Sequence, residues 1–76
     1  MSVKVAVEPN GVTIETLEML LHVLAHEIES QAYLQMAVRV ADDPALKAFL
    51  IDMLGEEQLH EKQIRAKLRD KYRLDI

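Results

Sequence analysis

Ala41-Asp42-Asp43-Pro44 is the stretch that divides this 76-residue chain into two helical segments. The residue before a proline is pushed out of helical geometry, so the first segment ends here. Asp43 is a suitable N-cap for the second segment, and Pro44 is a suitable first helical residue. Because so short a connection joins antiparallel neighbours, the sequence predicts a helical hairpin. Helix 1 is expected at about residues 13–41 and helix 2 at about residues 44–72.

The first twelve residues follow a different pattern from the rest of the chain. Alternating valines are followed by a turn sequence, at Val3, Val5, Val7 and Glu8-Pro9-Asn10-Gly11. This pattern predicts an extended N-terminal arm over residues 1–12. The arm either pairs with residues 12–14 or lies across a neighbouring subunit. The expected organisation is therefore the arm, then one helical hairpin over residues 13–76, with Thr13 as its N-cap.

Composition excludes several classes of function. The chain has no cysteine, which rules out a disulfide scaffold, a zinc ribbon and thiol chemistry. It has neither a long uninterrupted apolar run nor a secretory signal pattern. The net charge is −4, with the basic residues concentrated near the end of helix 2, where they oppose the helix dipole. We expect a cytoplasmic protein that binds neither nucleic acid nor membrane.

Helix 1 carries apolar residues around much of its circumference. They include Leu17, Met19, Leu20, Leu21, Val23, Leu24, Ile28, Leu34, Met36, Val38 and Val40. A single hairpin cannot cover so broad an apolar surface, and a chain of this length rarely builds a sufficient core alone. The sequence therefore predicts an all-α homodimer in which two hairpins form a four-helix bundle, or a larger homo-oligomer built from such dimers.

Three ionisable residues interrupt the apolar stripes of the two helices. Glu57 and His60 do so on helix 2, and Glu27 does so on helix 1. Folding at residues 42–44 brings these positions level, so they should face each other. A carboxylate and an imidazole on adjacent turns, opposite a second carboxylate, suit iron or manganese, with zinc as an alternative. A twofold axis would bring two such sets together as a di-metal site between subunits.

Glu29 is the alternative ligand on helix 1, because it lies only two positions from Glu27. Glu27 is favoured since it lies within the largely apolar stripe of Leu20, Leu24, Gln31, Leu34 and Val38. Glu29 instead shares its face with His22, Ala25, Ala32, Tyr33 and Met36. Within helix 2, Gly55 is unusual, and we expect it to permit close helix approach beside the site.

At these residues the chain resembles the ferritin-like superfamily, and most closely its encapsulated ferritins, in which two short hairpin chains build one ferroxidase bundle. Rubrerythrins are similar in the same segments. The resemblance covers about residues 20–66 and has three motifs. They are His26-Glu27-Ile28-Glu29-Ser30-Gln31-Ala32-Tyr33, Asp43-Pro44 and Glu56-Glu57-Gln58-Leu59-His60-Glu61-Lys62.

The resemblance implies that Glu27, Glu57 and His60 are the catalytic iron ligands, with Glu57 bridging two irons. It also places Glu29 and Tyr33 at secondary metal or ligand-supporting positions. His26 stands where an acidic residue of the iron uptake route is usual. The implied function is oxidation of Fe(II) to Fe(III) at a di-iron site, in iron storage or detoxification, with Mn or Zn as substitute metals.

Two other functions fit the same residues. One is rubrerythrin-like reduction of peroxide or oxygen, which would need a separate redox partner. The other is a non-catalytic helical oligomerisation module, in which the three residues form a buried polar network that fixes register. The family also implies an encapsulin shell as partner and an encapsulin nanocompartment as location. The usual C-terminal targeting extension is not seen after Ile76.

Overall fold

A computed structural model describes residues 14–76, which form two helices joined by a tight turn. Helix α1 spans Ile14–Val40 and helix α2 spans Pro44–Tyr72. This described part contains no strand, and the predicted all-α helical hairpin is confirmed. The predicted N-terminal arm and the Thr13 N-cap lie outside the described residues. Helix α1 ends one residue before the predicted 41, and α2 has the predicted bounds.

The turn between the helices is set by Asp43 and Pro44. Asp43 has extended backbone angles, φ −91° and ψ 122°, and its Oδ2 accepts a hydrogen bond from the Leu46 N–H at 2.8 Å. This satisfies one of the backbone donors that a helix N-terminus leaves free. Pro44 then begins α2 without the loss of a hydrogen bond. The predicted N-cap and first helical residue are confirmed.

The C-terminal end of α2 is closed by a left-handed residue. Arg73 has φ 59° and ψ 31°, and its N–H donates to the carbonyl of Arg69 at 3.1 Å. The Arg69 guanidinium in turn donates to the carbonyl oxygen of Ile76 at 3.0 Å. Part of the basic C-terminal stretch therefore holds the end of the chain against the helix.

The interface between α1 and α2 is narrow. Among the side chains described, only Leu24 and Leu68 are buried, because two helices alone provide no further layer to cover their outer surfaces. Many large apolar side chains are consequently exposed. Those on the helices are Met19, Leu21, Val23, Ile28, Tyr33, Met36, Val40, Leu46, Phe49, Ile51 and Leu59. Within residues 14–76, neither helix has the length and apolarity required to cross a membrane.

Gly55 does not serve the close helix approach that its position suggested. It lies on the exposed side of α2, and a Cβ atom built on it would meet no other described atom within 4 Å. The expectation of close packing at Gly55 is wrong for this hairpin, because a residue two positions before Glu57 lies on nearly the opposite side of α2.

Replacing Gly55 with alanine should therefore stabilise the hairpin. We expect Gly55→Ala to raise the free energy of unfolding by about 1 kcal/mol, because alanine loses less backbone entropy in a helix. Thermal or urea unfolding followed by circular dichroism measures the change. Ala48→Gly, at another exposed position of α2, should lower stability by a similar amount. A loss of stability in Gly55→Ala would contradict the open surroundings of this residue.

Candidate metal centre

Glu27, Glu57 and His60 meet near the middle of the hairpin. His60 Nδ1 lies 3.3 Å from Glu57 Oε1 and 3.7 Å from Glu27 Oε1. One ligand atom from each residue lies within 4.8 Å of those of the other two. Glu57 and His60 are one turn apart on α2, and Glu27 reaches them from α1. In the part of the chain that is described, no other group of three potential metal ligands is this compact.

The spacing of these atoms suits a divalent cation. Carboxylate oxygens and imidazole nitrogens bind such metals at about 2.0–2.2 Å, which places neighbouring ligand atoms about 3.0–3.5 Å apart. The distances from His60 Nδ1 to the two carboxylates are close to this range. A mixed set of two carboxylates and one imidazole also matches the preferences of iron, manganese and zinc. The residues present therefore fit a metal.

Glu27 carries the strongest sign of a missing partner. Only 17% of its side chain is exposed, and its Oε2 atom is buried without a hydrogen-bond partner. Burial raises the pKa of the Glu27 carboxyl, and a hydrogen bond with Glu57 and the Glu57 charge raise it further. His60 acts in the opposite direction, but its effect is smaller. A cation beside Oε2 would offset both the lost solvation and the repulsion between carboxylates.

His60 opens the cluster to one flank of the hairpin, since half of its side chain is exposed. Leu46 and Phe49 precede it by 14 and 11 residues, and so lie on the same stripe of α2. Met19 and Val23 precede Glu27 by 8 and 4 residues on α1. Right-handed helical geometry places both stripes on the same flank. We call Met19, Val23, Leu46 and Phe49 the site-side patch; all four are more than 40% exposed.

The other predicted site residues lie on the exposed surface of α1. Glu29 Oε1 is 4.0 Å from His26 Nδ1, and both side chains are more than 60% exposed. Tyr33 is 67% exposed. None of the three belongs to the compact group around His60. The structure therefore brings Glu27, rather than Glu29, together with Glu57 and His60.

A polar network beside the cluster did not emerge from the sequence. Gln31 Nε2 donates to Glu61 Oε1 at 2.7 Å, and Arg65 Nε donates to Glu61 Oε2 at 2.7 Å. The hydrogen bond from Gln31 has the larger effect on the pKa of the Glu61 carboxyl, followed by the hydrogen bond from Arg65. Together they hold this pKa below its usual range. Two signals could have revealed this network. Gln31 interrupts the apolar stripe of α1, and Glu61 and Arg65 have the spacing of a helical ion pair.

Comparisons with protein-family models, with curated proteins and with solved structures found no match to this chain. The resemblance to ferritin-like proteins therefore stays a prediction from the motifs.

Proposed function

We propose that this chain is a ferroxidase whose site is completed by a second copy and takes Fe(II) as substrate. The observation that carries the proposal is the buried, unpartnered Oε2 of Glu27, held beside Glu57 and His60. Buried carboxylates without partners are costly, so a protein that keeps one usually has a use for it. Binding of a cation is the use that this donor set supports best.

The second copy supplies the other half of the site. One hairpin offers three ligand residues, which is too few for two irons. A twofold axis along the site-side patch would place a second set of Glu27, Glu57 and His60 against the first. It would also cover the four exposed apolar side chains of the patch. Burial of that patch provides the driving force for assembly, and the same contact completes the site.

Four carboxylates around two iron ions favour the ferric state, because their negative charge stabilises Fe(III) more than Fe(II). Each Fe(II) gives up one electron. One O2 molecule accepts the two electrons together with two protons from water and is released as hydrogen peroxide. The side chains of the protein hold the ions and are not consumed. The ferric product then leaves for storage or detoxification, and Mn(II) or Zn(II) would occupy the same ligands.

Titration of the metal-free chain with Fe(II) in the absence of air tests the proposal. We expect saturation at one iron per chain. Air is then admitted, and an increase in near-ultraviolet absorbance should report oxidation of the bound iron. The mass in solution should correspond to a dimer or a multiple of dimers. If a folded oligomer takes up no iron, the chain is not a ferroxidase. If peroxide oxidises the iron much faster than O2, the rubrerythrin-like reaction is the better description.

Glu57→Ala should abolish both iron uptake and oxidation, because it removes the carboxylate that joins the other two ligands. Asp52→Ala is the matched control, since Asp52 is an exposed carboxylate of the same helix, and its position five residues before Glu57 turns it about 140° away. We expect the control to bind iron as the parent does. A non-catalytic oligomerisation module would behave differently. The parent would then take up no iron, and Glu57→Ala would change only the mass in solution.

A further inference from the structure

Glu61 is a third carboxylate on the inner side of α2, one turn beyond Glu57. Both of its oxygens are occupied, Oε1 by Gln31 and Oε2 by Arg65, each at 2.7 Å. Its side chain is only 24% exposed. Glu27 Oε2, by contrast, has no partner at all. The two carboxylates therefore differ: both oxygens of Glu61 accept hydrogen bonds, whereas Glu27 has a buried oxygen without a partner.

The Glu61 carboxylate is held close to the level of Glu57. Side chains on a helix lean towards its N-terminus, which directs Glu61 back along α2. The Gln31 Nε2 atom that binds Glu61 also lies 3.5 Å from the backbone oxygen of Glu57. Residues four apart on a helix are already neighbours. A released Glu61 side chain would therefore compete for a cation bound by Glu57.

We propose that Gln31 and Arg65 select the metal ligands by holding Glu61 away from the metal. This inference rests on the proposed function, since it requires a cation at Glu27, Glu57 and His60. Arg65 suits the task because its guanidinium stays charged at all relevant pH values and forms strong hydrogen bonds to carboxylates. Gln31 and Arg65 are positioning residues, because they act on the metal through Glu61 and do not contact it.

Selection matters for the reaction because a further carboxylate would fill a coordination position. O2 needs access to the iron ions, and each added protein ligand removes a place where it could approach. The network therefore sets the number of ligands as well as their identity. Glu27, Glu57 and His60 remain as the ligands of one chain.

Co(II) is the probe for the test, because its visible absorption bands weaken as the number of ligands increases. The full metal-free chain is titrated with Co(II) alone, and helicity is checked by circular dichroism before metal is added. We expect Arg65→Met to weaken the Co(II) bands as Glu61 joins the metal. Gln31→Leu releases the other oxygen and should have the same effect. Arg39→Met removes an exposed arginine of α1, so it should leave the spectrum unchanged.

The rescue is the decisive part of the experiment. Adding Glu61→Gln to Arg65→Met should restore the parental spectrum, because the amide cannot replace the released carboxylate as a ligand. If Arg65 had a purely structural role, adding Glu61→Gln would not restore the parental spectrum. If Arg65→Met and Gln31→Leu both keep the parental bands, or if the double variant is not restored, ligand selection is wrong while the metal site stands. If the parent binds no Co(II), both proposals fail.

Discussion

Replacing Glu27 with glutamine is expected to stabilise the metal-free hairpin by about 1–2 kcal/mol and to abolish iron binding. The carboxylate has a buried oxygen without a partner and faces a second carboxylate. Glutamine has nearly the same shape but no charge, and its amide can donate to Glu57. Most substitutions of half-buried residues are destabilising, so a gain in stability would mark a residue retained for function.

The gain should depend on pH, with a direction that follows from the raised pKa of Glu27. A carboxyl with a raised pKa holds its proton more tightly in the folded state than in the unfolded state. Its contribution to stability is therefore present below the ordinary value of 4.5 and is lost as the pH rises through the folded-state pKa. Glu27→Gln removes this loss. The two proteins should be similarly stable under acidic conditions and should diverge as the pH approaches neutrality.

Urea unfolding in the presence of a chelator, at several pH values, measures the stability difference, and Fe(II) titration measures the loss of binding. Glu29→Gln is the matched control. Glu29 is 66% exposed, so its substitution should change stability by less than about 0.5 kcal/mol and should leave iron binding intact. If Glu29→Gln loses iron binding and Glu27→Gln keeps it, Glu29 is the ligand on α1 and Glu27 is not. A clear loss of stability in Glu27→Gln would show that the charged Glu27 carboxylate stabilises the metal-free hairpin.

The fold could be predicted from the sequence because its determinants are local. A proline after two aspartates ends one helix and begins the next. Within the two described helices, apart from Pro44, Gly55 is the only glycine or proline. Arg73 shows the limit of this approach. It adopts a left-handed conformation that glycine usually provides at the end of a helix. Because an arginine stands there instead, the sequence pattern did not predict the C-cap of α2.

The candidate site could be predicted because its three residues interrupt apolar stripes at matching heights along the hairpin. Periodicity favoured Glu27 over Glu29 but did not decide between them, because apolar residues surround much of α1 and so mark no single inner side of this helix. The spacing of Glu61 and Arg65 predicts an ion pair, but whether the Glu61 carboxylate meets Gln31 depends on the rotamer of its side chain. Side-chain rotamers are decided by packing between helices, and this information is not present in the pattern of either helix.

Phe49→Glu is expected to break the dimer and the metal site together. Phe49 is 59% exposed and lies on the stripe of α2 that also carries His60. In a twofold dimer through the site-side patch, each substitution occurs twice at one interface. Large apolar side chains at the centre of an interface often contribute about 2 kcal/mol or more, and a buried unpaired charge adds several kcal/mol of cost. Dimer affinity should therefore fall by at least about a hundredfold.

Ile51→Glu is the matched control, because it introduces the same charge at an apolar residue of α2 with similar exposure, 53%. Ile51 precedes His60 by nine residues, which turns it to the opposite side of the helix.

Sedimentation of each variant, with and without Fe(II), should show monomers for Phe49→Glu and dimers for Ile51→Glu. Iron uptake should follow assembly, because in the proposed dimer each hairpin supplies half of the ligands. If the Phe49→Glu monomer still binds one iron per chain and oxidises it, the metal site does not require the dimer. The reverse pattern, with only Ile51→Glu dissociated, would move the interface to the other flank and leave His60 facing water.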